Sequence, residues 1–254
     1  YYTLTHTPGN EVILTVKNLY KEGYIDDVSF ELKKGEVLGV TGLIGAGRTE
    51  MASALFGLLQ PEKGEIIFEG KRLEIRNPAQ AIGMGIAMVP ENRKEQGIIP
   101  QMGVGYNISL AVLDAFIRLI RVNRKREKGI IGQYMDALRV KASSPQQHIG
   151  NLSGGNQQKA IIARWLATNP KILILDEPTK GIDIGAKTEI YSIIDELAKQ
   201  GVAIMLISSE LPEVINTSDR IIVMKNRRIA GVLNDRAEFA QENIMNYCLG
   251  GGNA

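Results

Sequence analysis

Four segments of the chain are apolar at every position: Ile86 to Val89, Ile172 to Leu175, Val202 to Ile207 and Ile221 to Met224. These read as core strands, and Ile172 to Leu175 as a fully buried one. Val37-Leu-Gly-Val40 predicts a further strand, and Met51, Ala52, Leu55, Phe56, Leu58 and Leu59 then recur at helical spacing along a helix starting near Thr49. Strand alternating with helix predicts an α/β fold with mainly parallel pairing. Shorter β-type patterns at Val12 to Val16, Val28 to Leu32 and Ile66 to Phe68, with Pro61-Glu-Lys-Gly64 as a turn, predict a small antiparallel layer beside that core.

From Gly97 to about Trp165 the pattern turns helical, with a polar middle at Arg121 to Lys128. That basic cluster reads as a solvated helix end or loop, the sharper alternative being contact with acidic groups on a membrane partner. Asp195, Glu196 and Lys199 read as the wet face of a helix ending near Gly201. His6 reads as a linker histidine and His148 as a loop histidine, and nothing in the sequence pairs them as ligands or catalysts.

Three segments carry the chemistry. Gly42-Leu-Ile-Gly-Ala-Gly-Arg-Thr49 fits the spacing G-x-x-x-x-G-K-[ST] everywhere except at the lysine. Its glycines allow backbone N–H groups to curl around phosphate, the following helix adds the positive end of its dipole, and Thr49 is placed to reach Mg2+. Gly42, Leu43, Ile44, Gly45, Ala46, Gly47, Arg48, Thr49 and Glu50 are therefore the nucleotide-binding candidates; alone, the segment also reads as an ordinary strand-to-helix turn. Asp176 and Glu177 end the apolar strand Ile172 to Leu175. Asp176 is placed to hold Mg2+ through its water shell and Glu177 to orient or deprotonate the water that attacks a γ-phosphate, although Pro178 fits a plain acidic turn as well. Leu152-Ser-Gly-Gly-Asn-Gln157 precedes the apolar-patterned stretch Ala160 to Ala167, so Ser153, Gly154 and Gly155 read as a second helix N-terminus facing an anion.

With 44% hydrophobic and 23% charged residues over 254 positions, the composition is that of a globular chain able to bury a large core. A net charge of +2 gives no argument for nucleic acid, and the single cysteine, Cys248, excludes an internal disulfide and suits a reducing compartment. No run approaches the roughly 20 apolar residues of a spanning helix, so membrane association is expected to come through a partner. The opening Tyr1-Tyr2 and the polar residues to Asn10 read as a fragment beginning in a linker, residues 1–10, ahead of one domain over 11–254.

These strings resemble the nucleotide-binding domains of ATP-binding-cassette (ABC) proteins over most of the chain. Asp176-Glu-Pro-Thr-Lys-Gly-Ile-Asp183, Gly185-Ala-Lys187, Ser208-Ser-Glu-Leu-Pro-Glu213 and Pro90-Glu-Asn-Arg-Lys94 resemble, within that superfamily, the C-terminal cassette of bacterial importers of xylose, ribose or galactose. The resemblance implies a RecA-like P-loop core with its antiparallel layer in residues 11–96 and 166–254, and a helical signature subdomain in 97–165. It implies ATP or ADP with Mg2+ as cofactors. It also implies a head-to-tail partner, either an N-terminal cassette of the same polypeptide or a second copy, whose ATP meets Leu152, Ser153, Gly154, Gly155, Asn156 and Gln157, with Asp183 in the D-loop. Permease subunits, and through them an extracytoplasmic sugar-binding protein, are the further partners expected at the cytoplasmic face of the membrane, with no nucleic acid. Tyr20 or Tyr24 stands about where an aromatic stacks on adenine in related cassettes, packing on the sheet being the alternative. A soluble cassette working on ribosomes or DNA remains the other function class.

Three departures from the family pattern bear on mechanism. Arg48 replaces the phosphate-loop lysine, keeping the charge on a bulkier planar fork. Ser209 stands where competent cassettes place a histidine at the γ-phosphate, and a positioned acid–base group contributes about 10²- to 10⁴-fold in rate. Glu91 stands where a glutamine reaches metal and water. The expectation is a slow site that holds nucleotide, with an intact signature loop completing a competent site on the partner.

Overall fold

A computed structural model describes residues 2–118 and 121–250. Strands β1 (Val12–Lys21) and β2 (Ile25–Lys33) lead into β3 (Val37–Gly42), which runs through the phosphate loop into α1 (Arg48–Phe56). Then follow β4 (Lys63–Phe68), β5 (Lys71–Leu73), α2 (Pro78–Met84), β6 (Ile86–Val89) and a π-helical turn at Arg93–Gly97. The helical subdomain contributes α3 (Val104–Ser109), the short pair β7 (Ile117–Arg118) and β8 (Arg121–Val122), α4 (Arg124–Ala137) and α5 (Gly154–Leu166). The chain returns to the core through β9 (Ile172–Asp176), α6 (Ile184–Lys199), β10 (Ala203–Ile207), α7 (Leu211–Thr217), β11 (Arg220–Lys225), β12 (Arg228–Leu233) and α8 (Gln241–Leu249).

The central sheet has the order β12-β11-β3-β10-β9-β6, parallel except for β12, and an antiparallel sheet β2-β1-β4-β5 lies beside it. Strand pleating divides each apolar run between two cores. Ile172 and Ile174 of β9, with Ala203, Met205 and Ile207 of β10, join α1 and the antiparallel layer. Leu173, Leu175, Ile204 and Leu206 face the other way, against α5 and α6. This two-sided burial is why those strands are apolar throughout.

The expected RecA-like α/β core, antiparallel layer and helical subdomain are all present, and the differences have local causes. Helix α1 ends at Phe56 because Gly57 caps it in the left-handed region at φ 81°, leaving Leu58 beyond the helix and 61% exposed. Edge strand β12 alternates exposed and partly covered residues, too weak an apolar pattern to read as a strand. The basic residues Arg124 to Lys128 occupy the exposed first turns of α4, which Asn123 caps through its side chain.

Two readings are corrected. Asp195 is not on a wet helix face; it is fully buried and accepts hydrogen bonds from the backbone N–H groups of Thr5 and His6, the Thr5 hydroxyl and the Tyr2 hydroxyl. His6 is more than a linker histidine, since its Nδ1 lies 2.8 Å from Asp195 and its Nε2 2.7 Å from Asp219, with no exposed side-chain surface. Residues 2–9 form no helix or strand, yet this clamp seats them on α6 and on the start of β11. Periodicity missed it because one buried carboxylate on a charged helix end is indistinguishable from an exposed one until the covering segment is known.

Candidate functional site

Strand β3 lies between β11 and β10, so its C-terminal end delivers the phosphate loop to the middle of the sheet edge. Gly42 has φ 151°, and a Cβ there would stand 2.3 Å from the Met224 carbonyl oxygen. A Cβ on Gly47, at φ 96°, would stand 3.0 Å from the Arg227 Cα, so Gly42 is required by contact and by conformation, and Gly47 by its left-handed conformation beside a tight neighbour. The Arg227 N–H donates to the Ala46 carbonyl at 2.9 Å, fastening the loop to the β11–β12 turn. Leu43 and Ile44 at the crest are exposed, Glu50 lies in the first turn of α1, and Thr49 faces the end of β9.

At that end, Asp176 is buried with neither carboxyl oxygen hydrogen-bonded. Burial pushes its pKa up to about 6, with the neighbouring Thr49 opposing the shift. It lines a cavity of about 420 Å3 together with Thr49, Glu91, Asn92, Gln96 and Trp165. A buried, unpartnered carboxylate beside a threonine hydroxyl fits a hard divalent cation, which takes oxygen ligands and completes its shell with phosphate oxygens and water. Among the described residues no three acidic, histidine or cysteine side chains converge as a self-contained metal cage.

Glu177 adopts φ 48°, a left-handed conformation that turns the chain sharply after the strand. Its N–H donates to the Ile207 carbonyl at 2.9 Å, and its Oε1 accepts from the Ser209 N–H at 2.8 Å. The same oxygen lies 3.4 Å from Arg48 Nη1, with both side chains largely covered. Arg48 therefore points at the carboxylate expected to act on water, a contact that nothing in the sequence spacing signals. Ser209 presents its main chain to Glu177 and an exposed residue surface to solvent. Glu91 stands on the cavity rim near Asp176, where Lys180 Nζ binds it at 2.7 Å and offsets its charge. That hydrogen bond raises the Lys180 pKa.

A second helix starts at Ser153, the N-cap residue of α5, whose side chain makes no cap hydrogen bond. Asn156 Nδ2 donates to the Ser153 hydroxyl at 3.0 Å, and the Asn156 oxygen accepts from the Lys141 N–H at 2.8 Å. The buried Gln157 side chain donates to the carbonyls of Ile149 and Leu152, each at 3.2 Å, tying the preceding turn to the helix. Gly155 is demanded by packing: a Cβ there would lie 2.4 Å from the Ala186 Cβ at the start of α6. Asp183 caps α6 by accepting from the Ala186 N–H at 2.9 Å, so the Asp183 turn and the Ser153 turn abut. Ser153 itself stays exposed.

The two tyrosines separate. The Tyr24 carbonyl lies 3.2 Å from where a Gly47 Cβ would stand, and the Tyr24 residue is 49% exposed at the loop's edge. Tyr20 pairs across the strands with Lys63, whose ammonium sits 5.4 Å over its ring.

The pattern describing the ABC transporter family matches residues 25–180, which hold the phosphate loop, Ser153 and the Asp176–Glu177 pair together. The chain belongs to the ABC transporter family. This cassette is 45% identical over 239 residues to the ribose import ATP-binding protein of Oceanobacillus iheyensis, covering 94% of the chain and 48% of that protein. It is 47% identical over 257 residues to the xylose import ATP-binding protein of Pseudomonas syringae pv. tomato, covering 98% and 48%. The chain thus spans about half the length of the curated relatives it matches. The ADP conformation of an ATP-binding cassette of an ABC transporter superposes with a TM-score of 0.78 at 24% identity, covering 94% of this chain and 96% of that one, a likeness of fold.

Proposed function

We propose that this cassette holds ATP or ADP with Mg2+ and, paired with a second cassette, energises monosaccharide import through membrane permease subunits. The observation carrying this reading is Asp176, whose two buried oxygens lack partners beside Thr49 at the foot of the phosphate loop. Thr49 and Asp176 would hold the metal, which when bound supplies positive charge to the phosphates. The loop's N–H groups receive the phosphates, and the exposed Tyr24, at the loop's edge, is the better placed tyrosine for the adenine. Glu91 stays on the rim with Lys180.

Turnover at this site is proposed to be slow for two reasons. Glu177 has to release Arg48 before it can act as a base toward water, and the Ser209 hydroxyl cannot replace an imidazole near neutral pH. The Ser153 turn carries no such departure, so its role is to complete the site of the partner, an N-terminal cassette of the same polypeptide or a second copy. The similarity to ribose, galactose and xylose import proteins supports a pentose or hexose as cargo, xylose-like favoured, with the cassette bound to permease subunits at the cytoplasmic face of the membrane.

Calorimetric titration of the purified chain with MgATP, with MgADP as comparison, tests the reading. Dissociation constants in the micromolar to submillimolar range are expected. No heat and no competition at millimolar ATP would reduce the chain to a scaffold that lends its Ser153 turn to a partner.

A further inference from the structure

Glu213 lies on α7, outside the phosphate loop and outside both carboxylates at the end of β9, yet it joins the two turns that carry Glu177 and Ser209. It is 4% exposed. One of its oxygens accepts from the Thr179 hydroxyl at 2.9 Å, and the other accepts from the Ser208 hydroxyl at 2.5 Å. Thr179 and Ser208 are themselves 1% and 0% exposed, so neither turn has water to replace these bonds. Thr179 is two residues beyond Glu177, and Ser208 immediately precedes Ser209. The Ser208 hydroxyl also accepts from the Glu210 N–H at 3.0 Å, which fixes its rotamer. Between the two tethers, the Ser209 N–H reaches Glu177 Oε1 at 2.8 Å.

We infer that Glu213 is a positioning residue of the ATP site: a buried carboxyl that clamps the Glu177–Thr179 turn to the Ser208–Ser209 turn and so sets the aim of Glu177. This rests on the ATP-site reading above. The Glu213 carboxyl binds Ser208 and Thr179 and makes no hydrogen bond to the phosphate loop, so its proposed effect passes through Glu177 and the Ser209 amide. Two features make the clamp effective. Glu177 sits at φ 48°, a conformation that persists only when its surroundings over-determine it. The two tethers use separate oxygens of one rigid carboxylate, so neither turn can move without stretching a bond to the other.

The test is a cycle of Glu213→Gln and Glu177→Gln in the 254-residue chain, read by MgATP calorimetry and by single-turnover release of radiolabelled phosphate. Glutamine keeps the shape but has only one oxygen acceptor for two hydroxyl donors. Glu213→Gln is expected to leave the MgATP dissociation constant within about three-fold while lowering the release rate about 10- to 100-fold, the scale of a misaimed catalytic group. In the Glu177→Gln background the same change should alter the residual rate by less than about two-fold, because groups acting as a unit are non-additive. Ser208→Ala and Thr179→Val each cut one tether with the carboxyl in place, and each should lower the rate about three- to ten-fold without altering binding. Equal losses in both backgrounds, an unchanged rate, or affinity falling in step with rate would overturn the inference while leaving the ATP-site reading intact. A chain that binds MgATP but releases no phosphate above the buffer rate overturns it too, for there is then no turnover to position. Failure of the unaltered chain to bind MgATP overturns the ATP-site reading and the inference together.

Discussion

Replacing Arg48 by lysine separates what the phosphate loop does for binding from what it does for turnover. The Arg48 Nη1 to Glu177 Oε1 separation of 3.4 Å corresponds to a gross attraction of about 5 kcal/mol at an effective dielectric of about 20. Most of that is offset by desolvation of two covered charges, and a charged hydrogen bond contributes about 1.5–3 kcal/mol net. Turning Arg48 from Glu177 toward a phosphate forfeits this contact, which at 1.4 kcal/mol per decade lowers nucleotide affinity by about one to two decades. A lysine ammonium has no fork to reach the carboxylate and meets phosphate as a compact charge. Arg48→Lys should therefore tighten MgATP binding about 10- to 100-fold in calorimetric titration. Phosphate release should rise less than about ten-fold, since Ser209 still withholds an acid–base contribution of about 10²- to 10⁴-fold. Glu177→Gln supplies the complementary arm: removing the anion should tighten binding when Arg48 is present and change it little after Arg48→Lys. Unchanged affinity on Arg48→Lys would refute the idea that Glu177 holds the arginine away from phosphate. A rate gain beyond about 100-fold would show that Ser209 is not the limiting departure.

The remaining predictions concern the partner-facing turn and the amino-terminal clamp. In the intact cassette pair, Ser153→Arg should reduce transport-coupled ATPase more severely than Glu177→Gln; equal losses or the reverse order would contradict the division of labour between this chain's two nucleotide-facing surfaces. Gly155→Ala has to push α5 from α6 because the added Cβ would stand 2.4 Å from the Ala186 Cβ. Overpacking of that kind costs about 1–3 kcal/mol and should lower Tm by about 2–12 °C in calorimetry. The third concerns the His6 clamp, in which burial alone would lower the His6 pKa but the hydrogen bonds to Asp219 and Asp195 raise it overall. Its contribution is complete below the unfolded-state value of about 6.5 and is lost as pH rises through the higher folded value. Asp195 moves the other way: burial raises its pKa, but hydrogen bonds from Thr5 and His6 outweigh this, so its contribution is lost only as pH falls below about 4. Lys199, 3.4 Å from Asp195, adds charge of the same sign as protonated His6. The stability difference between the chain and its His6→Gln variant in urea denaturation should therefore be largest near pH 5–6 and shrink above about pH 6.5. A difference that grows with pH would contradict the clamp.

Legibility in the sequence followed the range of the interactions. Gly42, Gly45 and Gly47 are recognisable because a tight phosphate turn needs glycine at fixed spacing, and the helix start at Ser153 because serine is a common residue there, although its hydroxyl accepts from the Asn156 side chain and caps no backbone N–H. That Asp176 ends a buried strand is legible from the apolar run before it, whereas the absence of any partner for its oxygens depends on packing around the strand end. Gly155 was legible as part of an anion-facing turn, while its need to pass Ala186 came from a contact between two helices 31 positions apart in sequence. Glu213 stood within Ser208 to Glu213, yet its hold on Thr179 crosses from one strand end to the next.

The sequence alone determined the alternation of strand and helix, the full burial of the strand Ile172 to Leu175, the phosphate turn and the order of its chemical groups. Each of these is set by periodicity or by the backbone conformations of a few consecutive residues. Only the tertiary structure decided that Arg48 meets Glu177, that Lys180 offsets Glu91, that Glu213 spans two turns and that His6 seats the amino-terminal segment between Asp195 and Asp219. The physical reason is that the strength of a charge's interactions depends on which distant group stands beside it, buried for Arg48, Glu213 and His6 and on the exposed rim for Lys180 with Glu91, and that pairing exists only once the chain has folded.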